Sequence, residues 1–532
     1  MLPKPIKQYH QHSLGKPVGK ISIGNFDDAQ LKIGVDLHKA GNLSDAKLIY
    51  EQLLGVDPGR YEVLHLLGTL EAQIGNFENS IELLKKAIQI NPYQWDTYSN
   101  LGNALIEINE FDQAIDSYDN SIRLNSNNAN DYCHRGFALY RQNKFEDALI
   151  SLEQALKIRP NYVLALLHYG NSQLSLGRNQ EAILTFEKAI NCEPNNPICH
   201  MSCGTAYLAD ARLSNALACI DQALFLKKDY AEAHLSRGDV LVALGKKEDA
   251  LESYRHSIAL NSKRVEAHFN LGVTLADCKQ LDAAILSLEN ALALDPDFAE
   301  AHAALGIIMG TTNLLELAFE KLTKAIEIKP EECSFYLNRG NILADLRRFD
   351  ESLADYDKAI ELKSDYHFAF SNKGHVLLTY LFQPEAALIY FDIAIALKPD
   401  FVSALINRAE AYNRLWRLEE ALQSFLKALE IDAEAPYIIG KCLHYKMKIC
   451  DWQSIDEGFS IYESMLRNNI PAAVPFESLN FTDNPELHLI SAKLNLIEKH
   501  RANDALGEIP RRQAHERVRI GYYSADLYYH PV

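Results

Sequence analysis

Cysteine, basic charge and long apolar runs are all scarce in this chain, and each scarcity removes a class of function. Nine cysteines are spread over 532 residues with no CxxC pair, so a disulfide framework and a zinc-ribbon site both lack their ligands. Cys199 and Cys203 share a helix face at i, i+4, where packing as small hydrophobes is the better reading. Such usage fits a reducing, cytoplasmic compartment. Lys and Arg number 53 against 71 Asp and Glu, a formal net charge of −18. That sign argues against nucleic acid as a partner, because a basic face is needed to replace phosphate counterions. No run approaches the roughly 18 apolar residues of a membrane span. Residues 1–26 place Lys4, Lys7, Lys16 and Lys20 among Pro, Gly, His and Gln, and are expected to form a flexible tail rather than a signal peptide. β-Strand patterning is equally scarce: Val518–Ser524 is the one convincing strand.

What the chain has in abundance is a repeat. Small residues recur at a 34-residue step (Ala46, Ser80, Ala114, Ala148 and onward to Ser352), and glycine falls twelve residues earlier, from Gly34 and Gly68 to Gly340 and Gly374. A period of this size predicts a solenoid, in which each unit contacts only its neighbours. In the unit at 265–298, His268, Leu271, Gly272 and Leu275 make one helical stripe, Ala284, Leu288 and Ala291 make a second, and Pro296 closes the unit. Gly272 and Ala284 are small because the two helices cross there. Gly41, Gly75, Asn109, Asn143, Gly177 and Gly245 stand at the turns, where residues that tolerate a left-handed backbone end a helix. The pattern resembles the tetratricopeptide repeat. It fits twelve consecutive units, starting near Asp27, Tyr61, Trp95, Ala129, Val163, Pro197, Ala231, Val265, Ala299, Cys333, His367 and Val402, the eleventh with one extra residue. The expected fold is all-α: a right-handed tetratricopeptide-repeat superhelix over 27–435, a helical extension and linker over 436–516, and one unfinished β-strand at 517–532.

Two sets of residues on the first helix of each unit are candidates for function. Asn100, Asn270, Asn338, Asn372 and Asn407 precede the Leu-Gly position, on the face expected to line a concave groove. An amide is both donor and acceptor, so a row of amides can pair with the backbone of an extended peptide. The last three fall in consecutive units and form a ladder. Polar residues on a wet helix face commonly do nothing more than stay solvated. His200, His234, His268 and His302 recur one per unit, but helices spaced about 8–10 Å apart, two to a repeat, set these rings too far apart to share one ion. They occupy the site that Tyr98, Tyr132 and Tyr336 fill elsewhere, so packing is the reading and no metal is expected. Paired Lys or Arg beside the asparagines, which a clamp for peptide carboxylates needs, are absent.

Beyond Pro436 the period stops. Residues 437–468 read as two helices broken at Cys450-Asp451-Trp452, then comes a loop with Pro471 and Pro475, and Asn484-Pro485 opens another helix. Repeats running into KMKICDW (446–452), a Pro-Phe loop (475–476) and RVRIGYYSADLYYHPV (517–532) resemble the O-linked N-acetylglucosamine transferase family. In that family a tetratricopeptide superhelix feeds protein substrates to a two-lobed nucleotide-sugar transferase. The resemblance implies that His530 matches the active-site histidine after the first catalytic strand, and that the asparagines match those holding the substrate backbone. UDP-N-acetylglucosamine would be the donor only with the catalytic lobes present. The diphosphate-binding helix and the second lobe have no counterpart among these residues, so the chain as given is expected to bind protein substrates without transferring sugar. The alternative is a self-standing scaffold for protein–protein interaction.

Overall fold

The computed structural model describes residues 26–499, and every regular element among them is an α-helix. The first twenty-four helices pair into twelve hairpins, one per repeat, here numbered 1 to 12 with a first helix A and a second helix B. Helix A of repeat 1 starts at Phe26, one residue before the expected Asp27, and the other eleven start at the expected residues. The extra residue of repeat 11 is absorbed between helix A (His367–Thr379) and helix B (Pro384–Leu397), leaving the register of both intact.

Each hairpin closes on its glycine. A Cβ at Gly272 would lie 2.7 Å from Leu288 Cγ and 3.2 Å from the Ala284 carbonyl oxygen, and one at Gly102 would lie 2.7 Å from Tyr118 Cε1. Ala114, Ala148, Ala216 and Ala284 opposite these glycines have no exposed surface. Helices this close bury alanine and glycine with little loss of side-chain entropy and let larger residues pack on either side. The predicted turn residues Gly41, Gly75, Asn109, Asn143, Gly177 and Gly245 all have positive φ. So do Ala211, Lys279, Asn313, Arg347, Phe382 and Trp416, which stand at the same place in the remaining repeats.

The chain divides into two compact units, residues up to Pro296 and residues from Asp297. Within each, helices A of successive repeats touch one another, whereas no helix B touches another helix B among the described residues. The A side of each stack is therefore its tighter side.

In the second unit, repeats 9–12 run into Ile438–Lys448 and Ile455–Arg467, broken at Cys450–Trp452 as the sequence predicts, then a short helix at Pro475–Ser478 and a last one at Pro485–Lys499. The segment around Ala472 locks onto the start of Ile438–Lys448: Tyr437 N–H donates to Pro471 O at 2.7 Å and Gly440 N–H to Ala472 O at 2.9 Å. A Cβ on Gly440 would come within 2.7 Å of that same Ala472 oxygen. Ile439, Leu443, Tyr462, Leu466, Ala472 and Leu487 form the apolar core of this extension. Asn484 Oδ1 accepts from Glu486 N–H at 2.9 Å, the cap the sequence assigns to it. The predicted tail, the strand at 517–532 and His530 lie outside the described residues.

Candidate peptide-binding face

All five ladder asparagines are half-buried on helices A, and most of them are tied to the repeat before. Asn270 Nδ2 donates to Asp239 Oδ1 and Asn372 Nδ2 to Asn341 Oδ1, both at 2.8 Å, and Asn100 Nδ2 donates to Thr69 Oγ1 at 3.0 Å. In each pair the acceptor follows the helix A glycine of the preceding repeat. In two of the three pairs that acceptor is itself held by the large ring packed on the glycine: Tyr254 Oη donates to Asp239 Oδ1 at 2.9 Å and Tyr356 Oη to Asn341 Oδ1 at 2.8 Å. The same ring-to-amide bond joins Tyr118 Oη and Asn103 Oδ1 at 2.8 Å. A buried tyrosine thus fixes one polar side chain, which fixes the next repeat's asparagine.

The consequence is that Asn372 is pre-oriented, with no further side-chain hydrogen bond among the described residues. Asn338 and Asn407 follow Ile307 and His375 in this pattern, and make no side-chain hydrogen bond among the described residues. Asn338, Asn341, Asn372 and Asn407 are thereby gathered on three consecutive helices A of the second unit. Asn100 and Asn270 lie in the first unit and belong to separate positions on its A side. Burial pushes the Asp239 carboxyl above its usual range, with the Tyr254 and Asn270 bonds partly offsetting it. Amides do not titrate near neutrality, so the asparagines themselves offer hydrogen bonds rather than a proton.

The histidine column is structural. His200, His234 and His268 each share a hydrogen bond through Nε2 with the carbonyl six residues back, at 2.8, 3.0 and 3.1 Å, tying the inter-repeat loop to helix A. His302 is buried. No group of His, Cys, Asp or Glu that could hold a metal ion occurs among the described residues.

The sequence reading passed over two sets of residues. One is the polar residue after glycine (Asn103, Asp239, Asn341), whose signal was its recurrence at a fixed step. The other is a basic residue just before the helix A glycine position, which Ala409 fills in repeat 12. Arg135, Arg237, Arg339 and Arg408 reach sixteen residues forward to helix B, to Ser151 (2.5 Å), Ser253 (2.8 Å), Asp355 (2.7 Å) and Ser424 (3.2 Å). Lys373 instead reaches back to Asp357.

Family profiles described as "Tetratricopeptide repeat" match residues 31–94, 135–197 and 381–436, and 334–366; one described as "TPR repeat" matches 102–143, 238–278 and 274–313. Together these matches span more than half of the chain. The chain is a tetratricopeptide-repeat protein. Among solved structures, this tetratricopeptide-repeat protein is similar to the APC/C hetero-tetramer Cut9–Hcn1 at 14% identity, over 73% of this chain and 96% of that one, with a TM-score of 0.43. It is similar to yeast Tom70 at 15% identity, over 84% and 98%, with a TM-score of 0.42. YrrB, a TPR protein with an unusual peptide-binding site, matches at 24% identity over 35% and 97%, with a TM-score of 0.31. Likeness at this level carries no argument about ligands. No curated protein matches the chain. A tetratricopeptide-repeat architecture is suited to protein–protein interaction, and no helix among the described residues is long and apolar enough to cross a membrane.

Proposed function

We propose that Asn338, Asn372 and Asn407 hold the backbone of an extended peptide, and that the chain is the substrate-binding arm of an O-linked N-acetylglucosamine transferase-like protein. The observation that carries the first part is the fixing of Asn372 by Asn341, with equivalent half-exposed amides on the helices A before and after it. Touching helices lie about 8–10 Å apart, and an extended chain advances about 3.3 Å per residue. Each amide therefore meets every third residue of a bound strand. Contacts of that kind read backbone N–H and C=O groups and leave the side chains unread.

Replacing Asn338, Asn372 and Asn407 together by Ala removes up to three such bonds, each contributing about 1 kcal/mol. The affinity for a fluorescein-labelled Gly/Ser/Thr peptide is expected to fall by roughly 100-fold, with the helical circular dichroism retained. Unchanged affinity in the folded triple variant contradicts the reading. The transferase part rests on the 446–532 resemblance, and is tested on the native gene product captured by an antibody to the repeats. A species heavier than 60.0 kDa that moves N-acetylglucosamine from UDP to a protein supports it. An inactive species of that mass leaves an interaction scaffold.

A further inference from the structure

Repeat 6 carries two cysteines at a pair of sites that four other repeats bridge across the hairpin. In repeats 4, 7, 10 and 12 the residue before the helix A glycine position and the residue sixteen further on are joined by a hydrogen bond from Arg to Ser or Asp: Arg135 to Ser151, Arg237 to Ser253, Arg339 to Asp355 and Arg408 to Ser424. In repeat 6 those two sites are Cys203 and Cys219. They flank the tightest point of the hairpin, since a Cβ on the adjoining Gly204 would lie 2.6 Å from Cγ1 of Ile220, the residue next to Cys219, and 3.2 Å from the Ala216 oxygen. Cys203 sits in the buried cluster of this repeat and Cys219 packs against it from the partly exposed side. Interaction with the Cys203 thiol holds the Cys219 thiol below its usual value, and interaction with Cys219, together with burial, pushes Cys203 above.

We propose that Cys203 and Cys219 are a peroxide-sensitive dithiol that closes reversibly to a disulfide joining helix A to helix B of repeat 6. The reagent is a hydroperoxide. The Cys219 thiolate, reachable from solvent, attacks one peroxide oxygen; the O–O bond breaks, and the leaving oxygen takes a proton to become water or an alcohol. Cys219 is now a sulfenic acid. The Cys203 sulfur displaces its hydroxyl, the S–S bond forms, and the released hydroxide takes the Cys203 proton as a second water. Two thiols are oxidised and one peroxide is reduced. A cellular dithiol reverses the step by thiol–disulfide exchange. Cys199, one helical turn before Cys203 and with no exposed surface, stays a thiol because the peroxide cannot reach it.

The experiment treats the whole protein with one equivalent of hydrogen peroxide, then alkylates it and maps the peptides by mass spectrometry before and after dithiothreitol. The expected result is one linked peptide pair joining Cys203 to Cys219, with the intact chain lighter by two hydrogens and restored by dithiothreitol. Cys219→Ser installs the residue that repeats 4, 7 and 12 already carry at this site, so its fold is safe. It is expected to abolish the link and leave Cys203 reduced. Cys203→Ser is expected to stop Cys219 at the sulfenic acid, which dimedone traps. A link through Cys192 or Cys199, a wild-type Cys219 that accumulates as sulfenic acid, or no oxidation at Cys219 overturns the proposal.

Discussion

Glu71 and Asp131 are carboxylates without exposed surface, and they respond to burial in opposite ways. Burial alone raises the Glu71 carboxyl, but Lys47 Nζ at 2.7 Å and Asn76 Nδ2 at 2.8 Å outweigh it and hold the group below its ordinary range. Burial also raises Asp131, where the Ser99 and Ser121 hydroxyls donate at 2.5 and 2.6 Å but no cation approaches, and the carboxyl stays above its ordinary range. The signs for stability follow. The Glu71 contribution is present above the unfolded value of about 4.3 and is lost as pH falls through its lower folded value. At Asp131 the folded state holds its proton more tightly, so its site gains stability as pH falls through the raised folded value and is weakest at neutral pH. Urea titrations of wild type and Asp131→Asn are expected to show wild type gaining on the variant between pH 7 and pH 4. A constant difference across that range contradicts the assignment. None of this was legible in the sequence, where both residues look like solvated helix charges. Their partners come from neighbouring helices, and only the fold brings them together.

At the scale of the element, the hairpin turns show how far the repeat overrides residue preference. Glycine and asparagine at six turns were readable as left-handed positions because those residues adopt positive φ at low cost. Phe382 and Trp416 were not readable, since large side chains disfavour that region. They adopt φ of 54° and 58° all the same, because the helices on either side are fixed by their neighbours and the turn must close between them. Trp416 is 83% exposed, so its ring contributes little packing. Left-handed backbone costs a non-glycine residue about 1–2 kcal/mol, and Trp416→Gly is expected to raise the urea midpoint of the unit that contains it. A lowered midpoint means that the indole packs after all, or that the turn is not strained. The helices themselves were fully legible: eleven of the twelve hairpins begin at the residue the period assigns. A strict spacing of glycine and alanine encodes the crossing directly.

At the scale of each unit, successive hairpins present their helices A side by side, and the candidate face is a property of that array rather than of any one residue. The asparagines were legible because they repeat. Their anchoring was not, because the acceptor lies 31 residues away in the repeat before and its tyrosine lies on a different helix. The network also explains why the asparagines are unequal, Asn372 being held by Asn341 while Asn338 and Asn407 make no side-chain hydrogen bond among the described residues. The acidic charge of −18 plays no part in such recognition, which depends on amide pairing with a neutral backbone. The most direct measurement is an anisotropy titration of the whole protein with a labelled Gly/Ser/Thr peptide of about twelve residues, its side-chain-scrambled counterpart, and a version methylated on every third backbone nitrogen. Backbone reading predicts that scrambling leaves the affinity within a few-fold while one register of methylation lowers it by tenfold or more, as expected for losing bonds worth about 1 kcal/mol each. Affinity that follows the side chains and ignores methylation contradicts it.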